Sequence, residues 1–282
     1  MTALAPHRQR RSRRGSPLPH VPLVLLVLFA LFPITLLFVN AFKSDVEIKG
    51  SPLGIPSRLH PENFSNAWNA AKYGQAFGNS ALVTFVTVAG VCLLAGFAAY
   101  GLTRFPLPFG GVVSTYYLLA LTVPAQLYLV PLFFLWVRLH LSDSLLGLIL
   151  IYLAIYQPFA IFLLRSYFLG MPKEIEDAAR VDGCSELQIF WRIVVPLSGP
   201  AFLTVAVVVG TWTWNEFLFA NTMLHKQALL TVPLRYVVFS GATEVNFALQ
   251  SAAGMMVVLP VVVLFLSMQR TFVQGMTNGG LK

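Results

Sequence analysis

An all-α membrane protein with six transmembrane helices is the fold class that the sequence predicts, on three observations. Of 282 residues, 57% are hydrophobic and only 11% charged, against about 25% charged in an average soluble domain; mean hydropathy is +0.73. Six apolar runs recur along the chain, each near the ~20 residues that a membrane-crossing helix needs. Lysine and arginine are unevenly divided between the two sets of connecting segments, as membrane topology demands. A soluble globular domain is excluded, and so is a disordered chain, which needs low hydrophobicity and high net charge. Cys92 lies in an apolar run and Cys184 in a polar one, a pattern that argues against a disulfide between them.

Residues 1–20 read as a basic tail carrying Arg8, Arg10, Arg11, Arg13 and Arg14. The first apolar run, 21–42, contains Pro33. A signal peptide also opens with a basic stretch, but its apolar region spans only about 7–15 residues. This run is longer and no small-residue cleavage site follows, so it reads as an uncleaved membrane helix. Residues 43–78 are polar, and 61–73 suit a short surface helix. The second run, 79–103, ends at Arg104-Phe105-Pro106. The third, 112–137, holds Pro124 and Pro131, which a span tolerates when neighbouring helices satisfy the freed carbonyls. The fourth, 144–168, holds Pro158. A charged segment, 170–199, precedes the fifth run, 200–223. A loop to about residue 247 leads to the sixth run, 248–268, and a tail, 269–282.

Six spans place both termini on one side. With the N-terminus inside, the inner segments hold Arg8, Arg10, Arg11, Arg13, Arg14, Arg104, Arg165, Lys173, Arg180, Arg192, Arg270 and Lys282. The outer ones hold Lys43, Lys49, Arg58, Lys72, Arg138, Lys226 and Arg235, so the bias is twelve to seven among the 19 cations. Both termini are therefore expected in the cytoplasm and the chain in the cell inner membrane as a multi-pass protein. The formal net charge of +8 fits the same reading. The N-terminal arginines directly precede a span, so topology and anionic lipid account for them better than nucleic acid does.

The segment 170–199 carries the most information. Met171 to Pro196 parses as helix, turn, helix. Pro172 suits a first helical turn; Ile175, Ala178 and Ala179 fall at i, i+3, i+4. Glu176 and Arg180 are spaced for an i,i+4 pair worth about 0.2–0.5 kcal/mol. Asp182-Gly183 is a turn signal in which the glycine takes a left-handed conformation, and Ser185 with Gln188 reads as a capping box opening a second helix. Leu187, Phe190, Trp191 and Val194 form that helix's apolar stripe. An amphipathic pair lying on lipid would present a basic face. Here Glu174, Glu176, Asp177, Asp182 and Glu186 outnumber Lys173, Arg180 and Arg192, which points to a protein partner bearing basic groups.

Asp177-Ala178-Ala179, three residues, Gly183, nine residues, Ile193, two residues, Pro196 resembles the EAA loop of ATP-binding-cassette importer permeases. Asp177 replaces the usual Glu and Val195 the usual Leu; charge and apolarity are kept. Trp214-Asn215-Glu216-Phe217, the run Gln269 to Gly275 with Gly279-Gly280, Asn79-Ser80, Ala99-Tyr100 and Arg104-Phe105 are similar to the carbohydrate-uptake branch, of the maltose-permease second-subunit type. The resemblance covers the chain from about residue 20.

It implies a type I importer permease fold with a docking loop for a cytoplasmic ATPase. Asp177 would offer a carboxylate to a basic residue, Ala178 and Ala179 would pack on the groove wall, and Gly183 would make the bend. Glu174, Glu176, Arg180, Asp182, Ile193 and Pro196 complete that docking set. Partners implied are a second permease subunit, two cytoplasmic ATP-binding subunits holding ATP and Mg, and an extracytoplasmic substrate-binding protein, with membrane lipid around. The substrate implied is a sugar, an oligosaccharide or a related polyol derivative. By the same resemblance the tail residues Gln274, Gly275, Gly279 and Gly280 reach the ATPase pair; simple fraying is the alternative.

The chain itself is expected to be no enzyme and to bind no cofactor or metal. It has no G-x-x-x-x-G-K-[ST] run to cradle phosphate, its five histidines are scattered, and no serine sits in a nucleophile motif. Glu216 is the one acid well inside an apolar run, and an intramembrane ionisable group suggests function. With Trp212, Trp214 and Asn215 it is a candidate for the translocation path, where polar groups meet hydroxyls and rings meet sugar faces. The alternative is a helix–helix bond, with the tryptophans as interfacial anchors. A secondary transporter or channel working without an ATPase is the rival class; it would show ionisable groups in several spans or an internal repeat.

Overall fold

The computed structural model describes residues 21–241 and 246–279, the side chains of its last helix as far as Ser267. The arginines of the basic tail, and Gly280, lie outside the described residues. Among those described, the regular structure is all helical.

Helix α1 (Val21–Ala41) leads into α2 (Asp45–Gly50). The start of α2 is fixed by a capping box: the Ser44 hydroxyl accepts from the Glu47 amide, and the Glu47 carboxylate accepts from the Ser44 amide. Beside it, Lys43 is buried and donates through Nζ to the Ser51 and Pro52 carbonyls at 3.0 and 3.1 Å. Helix α3 (Glu62–Ala70) falls within the expected 61–73. Helix α4 (Tyr73–Arg104) starts before the expected residue 79. Lys72, in the left-handed region at φ 51°, separates the two. Tyr73 and Phe77 pack against Trp68 and Tyr73 is fully buried, so the extra turns have an apolar face of their own.

The run 112–137 is not one straight helix. It is α5 (Gly110–Ala120), then a short 3₁₀ turn (Ala125–Tyr128) and α6 (Leu129–Arg138), bent by 93°. Pro124 is the cause: its ring disfavours helical backbone in the residue before it. Pro131, in the first turn of α6, is harmless there. Helix α7 (Leu145–Leu169) starts at a Ser144 cap and carries Pro158 internally.

The charged segment holds α8 (Glu174–Val181), α9 (Glu186–Ile189), a π turn (Phe190–Val194) and α10 (Val195–Leu197), which meets α11 (Gly199–Asn215) at 76°. The fifth run also breaks: α11 stops at Asn215, and α12 (Leu218–Met223) follows. Then come α13 (Val232–Ser240) and α14 (Phe247–Gly279), which extends the expected sixth run through most of the tail. Among the described residues four helices are long and apolar enough to cross a membrane, or up to six if each bent pair counts as one.

Helix α4 is the centre of the molecule. It packs along α7 and α11, and their small and branched residues make the larger core: Val91, Ala95, Ala99, Leu148, Ala160, Leu164, Val205 and Val209. Small residues let backbones approach where no hydrophobic drive exists between helices. A smaller core joins the α1 end, α3 and α14 through Ala41, Ala67, Tyr73, Ala252 and Ala253. The loop before α13 is stapled to α4. Asn79 donates to the Ala228 and Leu230 carbonyls at 2.9 and 3.1 Å, and the Ser80 hydroxyl accepts from the Val232 amide at 2.8 Å. Helices α5 and α6 have no buried side chain.

Candidate functional site: the charged helical segment at the end of α4

Three acids in the first turn of α8, Glu174, Glu176 and Asp177, and Arg180 in its last turn complement the helix dipole at both ends. Gly183 turns the chain at φ +83°, and the Gly183 and Cys184 amides close the bend on the Arg180 and Ala179 carbonyls at 3.1 and 3.0 Å. The Ser185–Gln188 capping box is present in both directions. The bend is thus built from local signals.

Helix α8 has two faces. Glu176 and Ala179 point into the molecule, 1% and 8% exposed. Glu174, Asp177, Ala178 and the following Asp182 are exposed, alongside Ile175 and Val181; Leu187 of α9 is exposed as well. The turn–helix junction ends with Ile193 half-buried and Pro196 exposed.

Glu176 has a partner the sequence did not reveal. Arg104, the last residue of α4, donates through Nε to both Glu176 oxygens at 2.8 and 3.0 Å and sets Nη2 2.6 Å from Oε1; both side chains are almost wholly buried. The Glu176–Arg180 spacing read from the sequence gives only a 3.7 Å contact. Arg180 instead grips Asp177 at 2.6 Å and Glu186 at 2.6 and 3.2 Å, and Glu186 also accepts from the Tyr100 hydroxyl at 2.7 Å. The Arg180 guanidinium and the Tyr100 hydroxyl hold the Glu186 carboxyl below its usual range; Glu186 in turn raises Arg180. Tyr100 and Arg104 are one turn apart on α4, a spacing that would have marked them as a pair.

The second candidate set lies at the α11–α12 break. The Glu216 carboxylate accepts from the Phe219 and Ala220 amides at 2.8 and 3.1 Å, and from the Tyr152 hydroxyl of α7. It caps α12 and ties it to α7, the helix–helix alternative read from the sequence. Trp214 donates to the Val257 carbonyl at 3.4 Å and packs on Phe77. Trp212 packs on Tyr156 and Phe159 but stays 43% exposed, and Asn215 is exposed. Gln274, Gly275 and Gly279 lie on the backbone of α14. Among the described residues no group of three His, Cys, Asp or Glu is placed to hold a metal.

Residues 91–278, which include α8, its bend and α11, match the family model of the binding-protein-dependent transport system inner membrane component. The chain belongs to that family. The chain is also similar to the probable ABC transporter permease protein YurM of Bacillus subtilis (strain 168), 36% identical over 92% of this chain and 86% of that protein. The diacetylchitobiose uptake system permease protein NgcG of Streptomyces coelicolor (strain ATCC BAA-471 / A3(2) / M145) is 31% identical over 95% and 89%. Among solved structures, a chain of a bacterial ABC transporter for import of the acidic polysaccharide alginate aligns with a TM-score of 0.81 and 22% identity, over 95% of this chain and all of that one. The fold is thus that of a type I importer permease. As a family member the chain is a transport component rather than an enzyme, and one subunit of a larger membrane assembly.

Proposed function

We propose that the chain is the permease subunit of an ATP-driven importer of sugars, oligosaccharides or related polyol derivatives, forming half of the translocation path. The observation that carries the reading is α8. It offers acids, a small residue and apolar side chains on one free face, on a segment that carries the family's loop spacing. The relatives' names support the substrate class: NgcG is a diacetylchitobiose permease, and the SugB protein of Mycobacterium tuberculosis (strain CDC 1551 / Oshkosh) is a trehalose permease.

In this reading both termini lie in the cytoplasm, and six spans cross the inner membrane. Glu174, Asp177, Ala178 and Asp182 meet the groove of a cytoplasmic ATPase. Gly183 sets the bend, Ile193 and Pro196 lead back to the membrane, and Glu176, Ala179 and Arg180 hold the helix from beneath. Two ATP-binding subunits, carrying ATP and Mg, close on nucleotide and move this loop together with that of a second permease subunit. A substrate-binding protein delivers cargo from outside. The end of α14, with Gln274, Gly275 and Gly279, reaches the ATPase pair together with the tail residue Gly280. Trp212 and Asn215 are the exposed side chains of the α11 set and face the path, although the Asn215 amide also donates to the Thr211 carbonyl at 2.8 Å; Glu216 and Trp214 are engaged within the chain.

The test is affinity purification from mild detergent after expression with the neighbouring genes. An ATPase and a second permease should co-elute, with hydrolysis stimulated by loaded binding protein. A chain that elutes alone and still transports after reconstitution would overturn the reading in favour of a secondary transporter.

A further inference from the structure

Helix α8 is joined to α4 at two points. The inner one is the Arg104–Glu176 pair, with side chains 3% and 1% exposed. The outer one is the Tyr100–Glu186–Arg180 chain, one turn earlier on α4. The inner pair is an expensive way to hold a helix in place. Taking two charges out of water offsets most of their attraction, and apolar side chains of similar size commonly do as well or better. Arg104 also leaves both Nη1 and Nη2 without a hydrogen-bond acceptor, Nη2 meeting Glu176 only as an ion-pair contact. What an ion pair supplies that an apolar contact lacks is one fixed geometry: the three contacts from a planar guanidinium define both distance and orientation. α4 is in turn the helix on which α7 and α11 pack.

We propose that Arg104 and Glu176 are positioning residues for transport: they lock α8 to α4, so that a displacement of the docking helix is delivered to the centre of the helical bundle instead of being lost in the loop. Tyr100 and Glu186 form the second point of the same clamp. The proposal rests on the docking role given to α8 above. Neither Arg104 nor Tyr100 touches the partner in this scheme, and their effect is on the transmission of motion alone.

The experiment uses the full complex of this chain with its ATPase, second permease and binding protein. Three quantities are read: co-purified ATPase, basal hydrolysis, and hydrolysis stimulated by loaded binding protein. Arg104→Gln is expected to keep the first two near wild type and to reduce stimulation about tenfold, a loss within the range of a site-to-site coupling energy. Exchanging the pair (Arg104→Glu with Glu176→Arg) should restore much of that stimulation. Tyr100→Phe, which strands no buried charge, should lose part of it. A pair that merely holds the fold together would lower assembly and basal hydrolysis along with stimulation. Full stimulation in both Arg104→Gln and Tyr100→Phe overturns the proposal. Should Arg104→Gln fail to assemble, Tyr100→Phe decides, with full stimulation again overturning it. An ATPase absent from the wild-type eluate overturns the docking reading itself, and the proposal with it.

Discussion

Gly183 is where a single residue sets the direction of the docking segment. At φ +83° a side-chain-bearing residue is strained by about 1–2 kcal/mol, and a β-branched one by more. Nothing stands within 4 Å of the Cβ a substitution would add, so the cost is backbone conformation and not crowding. Gly183→Val should therefore lose coupled uptake in membrane vesicles while the protein still inserts, and Gly183→Asn, which tolerates the left-handed region, should retain it. Equal uptake in the two would show that the bend is not strained. Gly147 is the converse case. A Cβ there would press on the Leu141 carbonyl oxygen and the Trp136 ring, an overpacking that costs typically 1–3 kcal/mol. Gly147→Ala should lower the thermal midpoint in detergent. Glu186 supplies a pH dependence. Its carboxyl is depressed in the folded chain by Arg180 and Tyr100. Its contribution is therefore present above the unfolded value, near 4.5, and is lost as pH falls through the folded value. The midpoint difference between wild type and Glu186→Gln should be clear at pH 7 and should shrink on acidification below that value; a difference independent of pH would deny the pair.

At the level of the elements, the α11–α12 break shows what one carboxylate does. Glu216 satisfies two of the first amides of α12 and holds Tyr152 of α7. Removing a cap of this kind costs about 0.5–2 kcal/mol, and the stranded Tyr152 hydroxyl adds to it. Glu216→Ala should lower the thermal midpoint more than Tyr152→Phe does, with the KM for uptake unchanged in both. A shifted KM at an unshifted midpoint would put the carboxylate on the translocation path instead. Glu216 was conspicuous in the sequence as an acid inside an apolar run, but its partner stands far away in sequence, and no spacing rule connects them. The same holds for Arg104 and Glu176. By contrast the Gly183 bend and the Ser185–Gln188 capping box were legible, because each is made by neighbours within one turn. The run 112–137 misled for a different reason. Apolar composition reports where a chain sits and not whether it is straight, and Pro124 ends a helix here where elsewhere in the chain Pro158 and Pro260 are carried inside one.

For the molecule as a whole, the decisive division is between what faces its own core and what is left for a partner, and α8 displays it within two residues. The resemblance has Ala178 and Ala179 pack together on the groove wall of the ATPase. In the fold, Ala179 joins the larger core and Ala178 stands on the free face. A bulky ring at the two positions therefore does two different things. Ala179→Trp overpacks the junction of α8 with the body of the protein, and any loss of a partner would follow from a disturbed fold. Ala178→Trp leaves that junction alone and fills only the space where a partner would approach. The expected outcome is that Ala178→Trp keeps the wild-type thermal midpoint of the purified chain and abolishes co-purification of the ATPase, whereas Ala179→Trp lowers both. The comparison is informative because association and stability are linked. A subunit that binds the native chain but not the unfolded one stabilises it by mass action, so the assembled wild type should melt above the isolated chain, and Ala178→Trp should melt with the isolated chain. An ATPase that still co-purifies with Ala178→Trp would mean that the exposed face of α8 is not the contact, and the groove would have to be sought at the bend around Asp182 and Gly183 instead.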